Sequence, residues 1–185
     1  MVKTSVLKVI LFSTSSILIF TSFTTPKNKK IKLYSERIRC FNKSKKFHIP
    51  IAYSTDNKYV YPTLISITSL LENIKYNKTF HDIYIMINND LIKKNKEILE
   101  SVQKRFPEQC KIIFIEMDNM FNEQKGYAST YYRLALHDKL PNINKIIYLD
   151  GDTLVFEDLT ELINLNMNGY YILGFLDNSI NDVEK

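Results

Sequence analysis

Two carboxylates one residue apart, Asp150 and Asp152 with Gly151 between them, are the residues of this sequence best placed to do chemistry. They end an apolar run, Ile146 to Leu149, that reads as a buried strand. In an open α/β sheet, ligands bind just beyond the carboxyl ends of the strands, and Asp-x-Asp there offers oxygens to a hard divalent cation. Gly151 leaves room for a ligand to approach the backbone. A plain strand-to-loop turn uses the same residue types, because Asp and Gly are common in turns. Asp56 and Asp177 also follow predicted strands, so four carboxylates share one rim if those strands are parallel. Arg133 is the matching cation: on a mostly apolar predicted helix, it either reaches solvent along its stem or pairs with an anion.

The elements that must position these groups follow from periodicity. Ile49–Tyr53 is a first strand and 54–59 a loop. A helix starts at Pro62, with Leu64, Ile65, Ile67, Leu70 and Leu71 on its inner face. Asp82–Ile87 is a second strand, and Leu91–Phe106 is an amphipathic helix with Ile98, Leu99, Val102 and Phe106 inward, stopped by Pro107. Cys110–Glu116 is a third strand, Ala128–Leu136 a helix, and the strand into Asp150 comes next. Asp158 then caps a short helix through Leu162, and Tyr170–Leu176 is a last strand ending at Asp177. A β-α-β-α-β order with short loops implies a parallel sheet flanked by helices, an α/β fold of nucleotide-binding type. There is no Gly-x-Gly-x-x-Gly and no P-loop, so phosphates must be held another way.

With 185 residues and 45% apolar content, the chain is long enough for one sizeable core and short for two. The net charge of +5 conceals an asymmetry. Residues 1–49 carry eleven Lys and Arg against one acid, Glu36, leaving fourteen bases against nineteen acids in the acidic remainder. The excess of basic residues is confined to the N-terminal part and no nucleic-acid-binding motif accompanies it, so no nucleic-acid partner is expected. Lys3 and Lys8 precede a charge-free stretch from Val9 to Thr25, which gives residues 1–25 the pattern of a signal peptide or signal anchor and makes the membrane an expected partner. Residues 26–47 read as a basic stem and 48–185 as the globular domain. The expected location is secretory or membrane-anchored, with the domain on the lumenal or extracytoplasmic side. Cys40 and Cys110 lack metal-ligand spacing and leave a disulfide open.

Three segments in order, IAYSTDNKYVYPTLISITSLLEN, ASTYYRLAL and KIIYLDGDTLVFEDLTEL, resemble glycosyltransferase family 8, retaining enzymes that include lipopolysaccharide galactosyltransferases and glycogenin. The resemblance runs from about Ile49 to Asp177. It implies the GT-A fold of nucleotide-diphospho-sugar transferases, a UDP-sugar donor, Mn2+ or Mg2+, and a glycan, lipid-linked or protein acceptor. By position, Asp150 and Asp152 match the metal-binding pair, and the Gly151 backbone lies near the ribose. Thr55 and Asp56 match the loop that reads uracil, and Tyr59 the aromatic that stacks on it. Arg133 matches an arginine at the donor sugar, and Asp177 an acidic residue beside the transferred sugar, the candidate catalytic group. Lys58 stands where family members usually carry Asn. Family members continue past this chain's end with a His completing the metal site and a Lys near the diphosphate, so the C-terminal part of the fold is expected to be missing.

Two other classes compete. The aspartate-dependent phosphatase motif Asp-x-Asp-Gly-Thr has its Gly after the second Asp, whereas Gly151 precedes Asp152, and only 33 residues follow. A truncated domain that binds nucleotide-sugar without turnover, or is inert, is the non-enzyme alternative.

Overall fold

The computed structural model describes residues 8–12 and 46–174, except 77, 119, 122, 124–127 and 169. Asp177, Cys40 and most of the segments read as targeting sequence and stem therefore lie outside the described residues.

Six strands form one sheet: β1 (Lys8–Phe12), β2 (Phe47–Thr55), β3 (Thr79–Ile87), β4 (Cys110–Glu116), β5 (Lys145–Leu149) and β6 (Ile172–Gly174). Their order is β4-β3-β2-β5-β1-β6. Every neighbouring pair is parallel, so the strand carboxyl ends share one rim. Pro50 lies within a central strand, where a missing N–H would normally break a ladder. Its position is tolerated because the pairing of β2 with β5 is confined to Ile51 and Ala52.

Helices α1 (Val60–Glu72) and α2 (Lys93–Arg105) close one face of the sheet. Ile49, Ile51, Ile83, Ile85 and Ile147 pack there with Ile67, Leu70, Leu99 and Val102. Each such side chain contributes about 1.5–3 kcal/mol on full burial. The other face carries a smaller cluster, in which Ala52, Met86, Ile146 and Tyr148 meet Tyr132, Ala135 and Leu136. Those last three come from a compound element, α3 (Ala128–Tyr131), a 3-10 turn (Tyr132–Ala135) and α4 (Leu136–Lys139), where a single helix was expected. A short helix α5 (Thr160–Ile163) follows β5; its N-cap is Leu159 and not Asp158 as expected, because Asp158 sits one residue earlier, where its carboxylate accepts from the Thr160 amide at 2.7 Å.

Several boundaries differ from expectation for physical reasons. Helix α1 begins at Val60, two residues before Pro62, because proline is tolerated anywhere in a first turn whose N–H groups have no helical partner. Ile65 was expected inward and is 57% exposed. The inner stripe instead takes Thr63, Ser66 and Ile67, because hydroxyls on this helix have partners across the interface. Strand β6 begins at Ile172, two residues later than expected, and Ile172 is exposed at the sheet edge, while the expected end at Leu176 lies outside the described residues. Strand β1 was not anticipated. Lys8–Phe12 falls in the segment read as signal or anchor, and it pairs with β5 and β6. Among the described residues no helix is long and apolar enough to cross a membrane. Cys110 is buried and has no disulfide partner among the described residues, and burial pushes its thiol pKa up to about 11.

Candidate functional site

The site is set by strand parity at the end of β5. Successive side chains alternate faces. Ile146, Tyr148 and Asp150 therefore point to the compound-helix side, and Ile147, Leu149 and Gly151 to the α1 side.

On the first side, Arg133 donates from Nη2 to Oδ1 of Asp150 at 2.9 Å. Its Nε is held by the carbonyl of Thr130 at 2.8 Å, and its guanidinium lies 4.8 Å from the centre of the Tyr148 ring. Both partners of the ion pair are mostly shielded, at 23% and 11% side-chain exposure. Beneath them the hydroxyls of Tyr148 and Ser54 are 2.7 Å apart. Burial pushes the Asp150 carboxyl above its ordinary range, while the Arg133 charge and Tyr148 act in the opposite direction. Burial likewise raises the Tyr148 phenol, with the Asp150 charge adding to it. The arginine's alternatives are thereby resolved, since it pairs with an anion.

On the second side, a Cβ at position 151 would lie 2.5 Å from Oγ1 of Thr63. Glycine is thus demanded by helix α1, in addition to any ligand above it. Thr63 also donates to Oγ1 of Thr55 at 3.1 Å. The loop after Asp152 is fastened to the same helix. Ser66 bonds Thr153 at 3.1 Å, Ser69 accepts from the Val155 amide at 2.9 Å, and Asn73 donates to the Val155 carbonyl at 2.9 Å.

The remaining expected residues divide. Thr55 is 1% exposed, with its hydroxyl turned under α1, so only its backbone faces the rim. Asp56 accepts from the amides of Lys58 at 2.8 Å and Tyr59 at 3.0 Å through one oxygen, which fixes the loop ahead of α1. Tyr59 follows, with its ring 48% exposed. Asp152 is exposed beside Asp150. Sequence reasoning missed Ser54, Thr63 and Tyr148. Parity along β2 and β5 would have paired Ser54 with Tyr148, whereas nothing in the sequence signals the contact of Thr63 with Gly151.

Among the described residues, no group of three or more His, Cys, Asp or Glu side chains converges as a metal cage. A Mg2+-type cation, however, usually keeps several waters and is held by one or two carboxylates together with substrate phosphates. The oxygens of Asp150 and Asp152 fit that chemistry as a partial donor set.

Comparisons with known proteins agree with this architecture. The model of Glycosyl transferase family 8 matches residues 50–185. A putative glycosyltransferase of Haemophilus influenzae is 32% identical over 136 residues, which cover 70% of this chain and 39% of that protein. A lipopolysaccharide 1,2-glucosyltransferase of Escherichia coli is 29% identical over 126 residues, 65% of this chain and 36% of that protein. The chain thus spans about two-fifths of the length of these curated relatives. Among solved structures, the bifunctional glycosyltransferase WbbM superposes with a TM-score of 0.56 at 22% identity, over 69% of this chain and 22% of that one. The galactosyltransferase LgtC, in complex with donor and acceptor sugar analogues, gives 0.53 at 18% identity, over 64% and 43%. These structural likenesses establish the GT-A type of α/β fold. With the match covering well over half of its 185 residues, this chain belongs to glycosyltransferase family 8.

Proposed function

We propose that the chain carries the donor-binding part of a glycosyltransferase that moves a hexose from a UDP-sugar to an acceptor hydroxyl with retention, using Mn2+ or Mg2+. The observation that carries this reading is the shielded Arg133–Asp150 pair, with Asp152 beside it, at the carboxyl end of β5 in a chain of this family.

Asp150 and Asp152 would hold the cation, which when bound neutralises charge on the departing UDP. The protein's own residues do the rest. Asp56 has one oxygen committed to two backbone amides, which orients its carboxylate and leaves the other oxygen to accept from a base N–H. The half-exposed Tyr59 ring offers a face for the uracil, since aromatic stacking on a base contributes about 1–3 kcal/mol. Arg133 supplies a buried positive charge for the diphosphate and sugar region, where a preorganised charge acts most strongly. Asp177 is assigned to the transferred sugar on the resemblance alone. A lipid-linked glycan is the acceptor class suggested by the lipopolysaccharide glucosyltransferase relatives, with free glycan or protein as the alternatives. A secretory or membrane-anchored location belongs to the same proposal. N-terminal sequencing with membrane fractionation tests it: loss of residues 1–25 fits a signal peptide, their retention in a membrane fraction fits an anchor, and their retention in a chain found only in the soluble fraction would overturn both.

The test is release of UDP from UDP-glucose and UDP-galactose with Mn2+, compared with Asp150→Ala. Turnover that disappears with the metal or with Asp150 supports the reading. Turnover indifferent to both would refute it. A second reading, donor binding without turnover, is favoured by the two-carboxylate donor set. It is distinguished in the same experiment by UDP binding with no release from the sugar nucleotide.

A further inference from the structure

Arg133 occupies an unusual position for a residue that is to contact the donor, because its charge is already spent on a group the cation needs. Its Nη2 lies 2.9 Å from Oδ1 of Asp150, its Nε is tied to Thr130, and the plane is supported by the Tyr148 ring. The pair is shielded from water, so neither charge is screened as a surface pair would be. A divalent cation bound to Asp150 would sit within a few ångströms of the guanidinium, and two like charges that close repel strongly in a partly buried site.

We propose that Arg133 is an internal counter-ion that fills the cation position of the metal-free site and must leave Asp150 as the divalent cation enters, turning its charge towards the incoming diphosphate. This inference rests on the metal-binding reading of Asp150 and Asp152. It adds that metal and diphosphate bind cooperatively through one side chain. The cation takes over the carboxylate and the diphosphate takes over the arginine, so each ligand lowers the cost of binding the other. Without the nucleotide, the arginine competes with the metal. Arg133 is in this sense a positioning residue that acts on the metal through Asp150.

The test is direct titration of Mn2+ into the full chain, reading free Mn2+ by electron paramagnetic resonance, for the wild type, Arg133→Gln and Arg133→Lys. Thermal melting confirms that each variant is folded. In the absence of nucleotide, Arg133→Gln should bind Mn2+ about tenfold more tightly, and Arg133→Lys, which keeps the charge, should stay within a few-fold of the wild type. Addition of UDP should then tighten Mn2+ binding markedly in the wild type and far less in Arg133→Gln. Equal affinity in wild type and Arg133→Gln would overturn the counter-ion role while leaving the metal site intact. Absence of Mn2+ binding in all three chains would overturn it together with the metal reading of Asp150.

Discussion

The two sides of the β5 terminus differ in what they ask of their residues. On the α1 side, Gly151 meets Thr63, Thr55 meets Thr63, and Ser66, Ser69 and Asn73 hold the following loop. Every group there is neutral, and nearly every polar atom named has a protein partner. On the other side, one carboxylate and one guanidinium face each other over a tyrosine ring, and Asp152 stands exposed beside them. The first side is built to be finished by the protein. The second keeps its charges where a ligand can exchange for one of them. A single strand thereby separates the neutral residues that fasten the loop from the charged ones to which the proposed chemistry is assigned.

Substitutions on the neutral side should cost stability in proportion to packing. Ile147→Ala, in the fully buried core beneath the site, is expected to lose about 2–5 kcal/mol in urea unfolding. Gly151→Ala forces a methyl onto a threonine hydroxyl 2.5 Å away, and overpacking of this kind costs about 1–3 kcal/mol. Thr63→Ala in the same chain should restore much of that loss. A double variant as unstable as Gly151→Ala alone would place the strain elsewhere than at Thr63. On the charged side, Ser54→Ala removes one partner of the Tyr148 hydroxyl, at 2.7 Å, and a loss of about 1 kcal/mol is expected, seen as a shift in urea midpoint at unchanged slope.

A control for the comparison lies at the far end of the sheet. His81 is 1% exposed, its Nδ1 has no hydrogen-bond partner among the described residues, and burial lowers its pKa below the ordinary 6.5. A base with a depressed folded-state pKa contributes stability that is fully present above the unfolded value. That stability is lost as pH falls through the folded one. The urea midpoint should therefore fall between pH 7 and pH 5, and His81→Leu should flatten that slope. An unchanged slope in the variant would assign the acid sensitivity to other groups. At the smallest end, the Lys93–Glu97 pair is 91% and 60% exposed. Glu97→Gln should change stability by no more than about 0.5 kcal/mol.

Much of this organisation is visible in the residues themselves. The apolar runs of β3 and β5 and the spacing of Leu99 and Val102 specify the parallel sheet and its covering helix, since burial on both faces leaves little choice of element. The Asp150-Gly-Asp152 sequence points to the end of β5 as the candidate site. Ser66, Ser69 and Asn73 recur at helical spacing, so the polar stripe that fastens the loop was legible, although Ile65 drew attention to the wrong face. Thr55 could have been turned inward by counting two residues from Tyr53 along β2, because both face α1. The approach of Thr63 to Gly151 was not legible. It depends on how far α1 lies from β5, a tertiary distance that no local pattern encodes. The pairing of Lys8–Phe12 with β5 was hidden for a related reason, because an apolar stretch after lysines satisfies a targeting signal and a buried strand equally well.

The central claim, that the charged side of β5 binds the donor and the neutral side only supports it, is tested most directly by calorimetric titration of UDP. The chain is compared with Asp150→Ala and with the Gly151→Ala/Thr63→Ala double variant, each with and without Mn2+. The account predicts Mn2+-dependent UDP binding in the wild type, its loss in Asp150→Ala, and its survival in the folded double variant. UDP binding that persists in Asp150→Ala and without Mn2+ would contradict it.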